Sequence, residues 1–416
     1  MKRVLFKNIK ELFQVERTTH SKAIAGEAMR QLPSISNAYL AIEDDSIVDF
    51  GKMEDLHGVA DWNNLEVIDV EGKCILPTWV DSHTHLVFAK SREQEFVYRI
   101  EGLSYEEIGK RGGGIVNSAL KLRAASFEQL YDDAYQRLNE IMHMGTGGVE
   151  IKSGYGLTVE SELKMLRVVR KLKENHPLTI KGTLLAAHAI PPEFKDNRED
   201  WISVIENEIL PIVAEEELAE HMDIFCERNY YTAEETDRLL EAASKYGLKP
   251  KVHVNQFSIA GGLEAAIKHQ ALSVDHLEEM DESQIEALLN SNTIPTVLPS
   301  CSYFLNIPYA PARQMINAGL PVAMATDYNP GSTPSGNIPF LLSLACTKLR
   351  LTPEEAINAV TLNGAHAMNI QATHGSIALG KAASFIITKE IPSLAYIPYA
   401  FGSNHIDQVY IHGKAQ

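Results

Sequence analysis

Seven of eight short apolar runs in this chain end in residues that can ligate a metal or move a proton: His83 and His85, Lys152, His188, Glu227, His253, His276 and Asp327. The remaining run ends at Pro299. Five of the 15 histidines thus fall at run ends, more than scatter would give. His83 and His85 stand two apart, so in a strand their side chains share a face and two imidazoles can meet one cation. His-x-His alone is a weak signal. With His253 and Asp327 closing later runs it becomes three imidazoles and a carboxylate, a donor set suited to one divalent metal per chain, zinc or iron (Fe2+/Fe3+), with a further position for water. Two plainer readings stay open: His188 and His276 as satisfied core histidines, and Glu227 and Lys152 as salt-bridge residues of a rim.

The runs that must position these groups span residues 75–85, 145–152, 180–188, 221–227, 249–256, 271–277, 293–299 and 321–327. Between them lie stretches with apolar spacing near 3.6, among them FEQLYDDAYQRLNEIMHM, ESELKMLRVVRKLKENH, TAEETDRLLEAASKYG and DESQIEALLNS. Strands alternating with helices predict parallel pairing. Eight such units predict an α/β fold of the TIM-like (β/α)8 kind, whose active groups gather at the C-terminal ends of the strands. Residues 1–73 and 374–416 have β character instead. We expect both ends to pair into one small β-sandwich domain beside a barrel of residues 74–373; two independent β-appendages are the alternative. The Gly112–Gly113–Gly114 triplet lacks the Lys-Ser/Thr of a phosphate-binding loop and is expected to be a flexible turn.

Composition narrows the partners. With 38 basic against 55 acidic residues the net charge is −17, which argues against nucleic acid. An anionic substrate would be repelled at long range, so its site must supply local cations or backbone N–H donors. Four scattered cysteines without a Cys-x-x-Cys pair suggest reduced thiols and a cytoplasmic location. Neither a signal-peptide core nor a run of about 18 apolar residues is evident, so no membrane association is expected.

The runs VDSHTHLVFAKSRE, KSGYGL, AAHAIPPE, SVDHL and ATDYNPGS resemble, in this order from about residue 70 to residue 370, those of the imidazolonepropionases in the amidohydrolase superfamily. The resemblance implies metal ligands His83, His85, His253 and Asp327. It implies substrate contacts from Arg92, Tyr105, Tyr155, His188 and His276, and from Asn329, Gly331 and Ser332. It also implies a homodimer, and hydrolysis of the cyclic amide of 4-imidazolone-5-propanoate, a small anionic substrate, to N-formimidoyl-L-glutamate in histidine breakdown. One position departs from the pattern: where many relatives read HADE this chain reads HVNQ, placing Gln256 where a glutamate is common. An amide cannot take up a proton at neutral pH. We therefore expect His276 or Asp327 to carry the proton, with Gln256 orienting the ring through hydrogen bonds. The tail carboxylate is expected to meet Arg92 and the backbone N–H groups of the NPGS turn.

Two rival readings keep a place. A deaminase or hydantoinase-like member of the superfamily would share the ligands. Binuclear members usually place a carboxylated lysine at the end of the fourth strand, where this chain has Glu227, so one metal is favoured. A barrel that has lost catalysis and serves as a scaffold is the other, with Gln256 as its main support.

Overall fold

A computed structural model of the chain describes residues 2–17, 22–57, 64–103, 107, 111 and 113–416. The N-terminal segment contributes β1 (Arg3–Phe13), β2 (Ser34–Glu43), β3 (Ser46–Lys52), β4 (Leu65–Asp69) and β5 (Cys74–Pro77). Eight parallel strands follow: β6 (Trp79–Asp81), β7 (Thr146–Lys152), β8 (Thr179–Ala187), β9 (His221–Cys226), β10 (Lys249–Val254), β11 (Ser273–His276), β12 (Ile294–Val297) and β13 (Ala323–Met324). The C-terminal segment adds β14 (Phe385–Thr388), β15 (Ile406–Ile411) and β16 (Lys414–Ala415).

Strands β6 to β13 pair in sequence order, each with the next, and every one of the eight expected runs supplies one of them. The strand faces are almost wholly buried, as a parallel sheet covered on both sides requires. The sheet closes just beyond β6 and β13: Asp327 N–H donates to His83 O at 3.0 Å, and His85 N–H donates to Tyr328 O at 2.9 Å. Closure therefore falls on His83, His85 and Asp327, three of the four expected metal ligands.

The anticipated helices form at Phe127–His143, Val159–Asn175, Ala233–Ser244 and Glu282–Leu289. Each begins where a side chain accepts a backbone N–H: Ser126, Thr158, Thr232 and Asp281. That satisfies one of the otherwise unpaired donors of the first turn.

The two chain ends share one sheet, ordered β16-β15-β14-β5-β1-β2-β3 with β4 beside β1. Phe6, Phe385 and Tyr410 lock the ends together, with ring centroids 4.9–5.1 Å apart, a separation at which aromatic pairs attract. One difference from the sequence reading concerns residues 75–85, read as a single strand. The chain changes sheets at Thr78: β5 pairs with β1 and β14, whereas β6 opens the barrel. The crossing is tight enough that a Cβ at Gly147 would lie 2.0 Å from Thr78 Oγ1, so only glycine fits there. Among the described residues no helix is long and apolar enough to cross a membrane.

Candidate active site

Four side chains meet at the C-terminal mouth of the barrel. His85 Nε2 and His253 Nε2 are 3.3 Å apart, and Asp327 Oδ1 lies 3.7 Å from His83 Nε2 and 3.6 Å from His85 Nε2. Ligand nitrogens of His83, His85 and His253 all fall within 4.8 Å of one another. His83 Nε2 is buried without a hydrogen-bond partner, which costs about 1–3 kcal/mol unless something fills the gap. A cation at the shared point would accept this lone pair, so the residues fit the divalent metal that the sequence suggests.

The layer beneath fixes how these imidazoles face. His83 Nδ1 donates to Asp275 Oδ2 at 2.7 Å, leaving the Nε2 lone pair for the mouth. His253 Nδ1 sits 2.9 Å from Asp223 Oδ2. Lys152 ties this layer together, with Nζ 2.7 Å from Asp223 and 2.8 Å from Glu150. Burial alone would discharge Lys152, but Asp223, Glu150 and Asp275 hold its pKa above the ordinary value. It is thus a wholly buried charge inside the barrel rather than a rim salt bridge. Burial, with Lys152 and the neighbouring histidines, pushes His83 and His85 well below the usual imidazole range. A neutral ring is what a metal ligand needs.

His276 ends β11 with φ 93°, turned toward the cluster, its ring centroid 5.4 Å from that of His253. Burial would lower its pKa, yet the Glu278 carboxylate, 3.5 Å away at Nδ1, with Asp327 and Asp275, raises it overall. Asp327 is raised by burial, and its Oδ2 accepts from Ser332 Oγ at 3.2 Å. His188 stacks on His85 with centroids 5.1 Å apart and is pushed down to about 3 by burial. Neither His188 nor His276 is a core histidine, since both line the cavity described next.

Above these groups opens a cavity of about 890 Å³. Tyr155 reaches it from the KSGYG loop, which Glu162 shapes by accepting the N–H groups of Gly154, Gly156 and Leu157 at 2.8–2.9 Å. Gln256 also lines it and donates to Cys301 Sγ at 3.5 Å. Glu227 forms no salt bridge among the described residues; it accepts from Phe257 and Ser258 N–H, tying the end of β9 to the loop that carries Gln256. Arg92 lies across the cavity, ion-paired to Glu95, and a Cβ on Gly331 would come within 2.2 Å of its Nη1. Only glycine lets the guanidinium lie so close to the turn.

Two expectations are corrected. The backbone N–H groups of Gly331 and Ser332 are already taken by Asn329 Oδ1, at 2.7 and 2.8 Å, because an asparagine side chain closes such turns on itself. They are not spare donors for an anion. The glycine triplet is not a flexible turn throughout, since Gly114 opens the helix Gly114–Ala124 and donates its N–H to Glu95 Oε1 at 3.1 Å. Gly112 and the expected contact Tyr105 lie outside the described residues.

The sequence reading missed Glu95, Arg99, Asp223, Asp275 and Glu278. A signal was present for the two aspartates: each interrupts an apolar strand, in HMDIFCE and SVDHL, and a carboxylate buried there must find a partner. For the helix, Arg92, Glu95 and Arg99 stand at i, i+3 and i+7, one face.

The amidohydrolase family model matches residues 74–415. The chain is 57% identical over 412 residues to the imidazolonepropionase of Christiangramia forsetii, covering 99% of each chain. It is 56% identical over 411 residues to that of Flavobacterium johnsoniae, again 99% of each. Among solved structures, guanine deaminase of E. coli superposes with a TM-score of 0.71 at 16% identity, covering 100% of this chain and 99% of that one. An adenosine deaminase from Xanthomonas campestris with bound zinc gives 0.71 at 14%, covering 99% and 92%. The structural matches speak for the fold alone, whereas the sequence matches extend over nearly the whole chain. The chain belongs to the amidohydrolase family and, within it, to the imidazolonepropionases.

Proposed function

We propose that the chain hydrolyses the ring amide of 4-imidazolone-5-propanoate to N-formimidoyl-L-glutamate, with His83, His85, His253 and Asp327 holding one zinc or iron ion. The observation that carries this reading is the pairing, across one cavity, of a three-histidine, one-aspartate cluster with an arginine over the turn of residues 329–332. One end suits an amide carbonyl and the other a carboxylate tail, as the names of the relatives suggest.

A divalent ion bound at the cluster supplies Lewis acidity and makes water nucleophilic near neutral pH. The protein's own groups do the rest. Hydrolysis adds a water oxygen to the ring carbonyl carbon and breaks its bond to the ring nitrogen, which must gain a proton. His276, kept basic by Glu278, is placed to deliver that proton. Asp327, raised by burial and oriented by Ser332, can accept the one that water loses. His188, neutral because burial pushes it down to about 3, spends its Nδ1–H on Gly154 O at 3.1 Å and so presents its Nε2 lone pair, an acceptor that can orient a ring N–H or the attacking water. Tyr155 and Gln256 line the space for the flat ring.

Arg92 holds the tail in this reading. Arg92→Ala should raise KM roughly 10–150-fold, the equivalent of about 1.5–3 kcal/mol for a charge-assisted hydrogen bond, with kcat changed little. Steady-state kinetics on the natural substrate check this, and an unchanged KM would remove the tail from this end of the cavity.

A further inference from the structure

We infer that Arg99 is the second arm of a two-guanidinium grip on the substrate's carboxylate tail. The inference rests on the proposed function and adds to it the residue that selects an acid over a neutral analogue.

Arg99 sits one helical face along from Arg92 in the helix Glu93–Ile100 and lines the same cavity. Its Nη2 donates to Gly331 O at 3.0 Å, and its guanidinium lies 4.9 Å over the ring of Phe304. Phe304 in turn stacks on Phe96 at 5.3 Å. Among the described residues no carboxylate is within ion-pairing distance of Arg99. Glu95, the nearest acid on the same face, is committed to Arg92 and to the Gly114 N–H. Burial, and then repulsion from Arg92, lower the pKa of Arg99, with Glu95 opposing from a distance; a guanidinium nevertheless stays charged, so among the described residues this half-buried cation has no carboxylate in direct contact.

Among the described residues of this helix face, two guanidiniums, Arg92 and Arg99, stand against one carboxylate, Glu95. The turn beside them cannot supply donors of its own, because Asn329 has taken its N–H groups. An anion reaching the turn therefore meets Arg92 and Arg99 together. The carbonyl of Gly331 and the face of Phe304 hold Arg99 in place beforehand, so little side-chain freedom is lost on binding.

The test compares Arg99→Met, which keeps a stem over Phe304, with Arg92→Ala in the metal-loaded enzyme. The probes are imidazole-4-propanoate and its propanamide, titrated as competitive ligands beside KM and kcat for the natural substrate. Arg99→Met should weaken the acid and raise KM about tenfold or more, while affinity for the amide and kcat stay within about threefold. Arg99→Lys should restore part of the loss, since it returns charge without the fork. If Arg92→Ala separates acid from amide and Arg99→Met does not, the inference on Arg99 fails alone. If neither variant separates them, the placement of the tail fails with it. Equal weakening of both ligands by Arg99→Met would mean a structural role and also overturns the inference.

Discussion

Replacing His83 with alanine is expected to abolish metal retention and ring opening together. His83 is wholly buried and gives its Nδ1–H to Asp275, so its Nε2 has no other use than the point it shares with His85, His253 and Asp327. Removing an outer partner is milder. Asp275→Asn leaves the ligand in place and only weakens what orients it, for which a loss of roughly 10–100-fold in metal affinity is expected. His83→Ala should exceed that loss. Metal analysis after dialysis against a chelator, beside the ring-opening rate, checks both variants. Full occupancy at a normal rate in His83→Ala would break the ligand assignment.

The second large effect separates His276 from Gln256. His276 faces the histidine cluster from the end of β11 and is kept basic by Glu278, whereas Gln256 donates to Cys301 and lines the cavity. If His276 carries the proton, His276→Ala should lower kcat by roughly 10²–10⁴, the range for a lost acid–base group. Gln256→Glu should leave kcat within about tenfold, or roughly 1.4 kcal/mol, because a carboxylate there replaces an orienting amide rather than a missing base. A thousandfold gain from Gln256→Glu with little loss from His276→Ala would make a carboxylate at this position the better proton carrier and overturn the assignment of His276. Retained metal content in both variants guards against a trivial cause.

These residues also show why part of the site was legible in sequence and part was not. Strand-end histidines announce themselves, since a polar group closing an apolar run has few places to go except the barrel mouth. All eight strands and the meeting of His83, His85, His253 and Asp327 follow from that pattern. Lys152 stayed open between a functional group and a rim salt bridge, because a run-end lysine looks the same whether it faces solvent or three buried carboxylates. The change of sheets at Thr78 was hidden inside a continuous apolar run, where only Gly147, on a neighbouring strand, betrays the crossing. The NPGS turn misled in another way: its glycine suggested open N–H groups, but Asn329 uses them to close the turn. Arg99 lay within the region of resemblance yet carried no motif of its own.

The most direct test of the whole account is turnover of 4-imidazolone-5-propanoate by the metal-loaded protein, followed by detection of N-formimidoyl-L-glutamate. Product should form, cease when a chelator strips the metal, and return when zinc or iron is restored. A protein that holds its metal on the four ligands and still leaves this ring intact would contradict the proposed function.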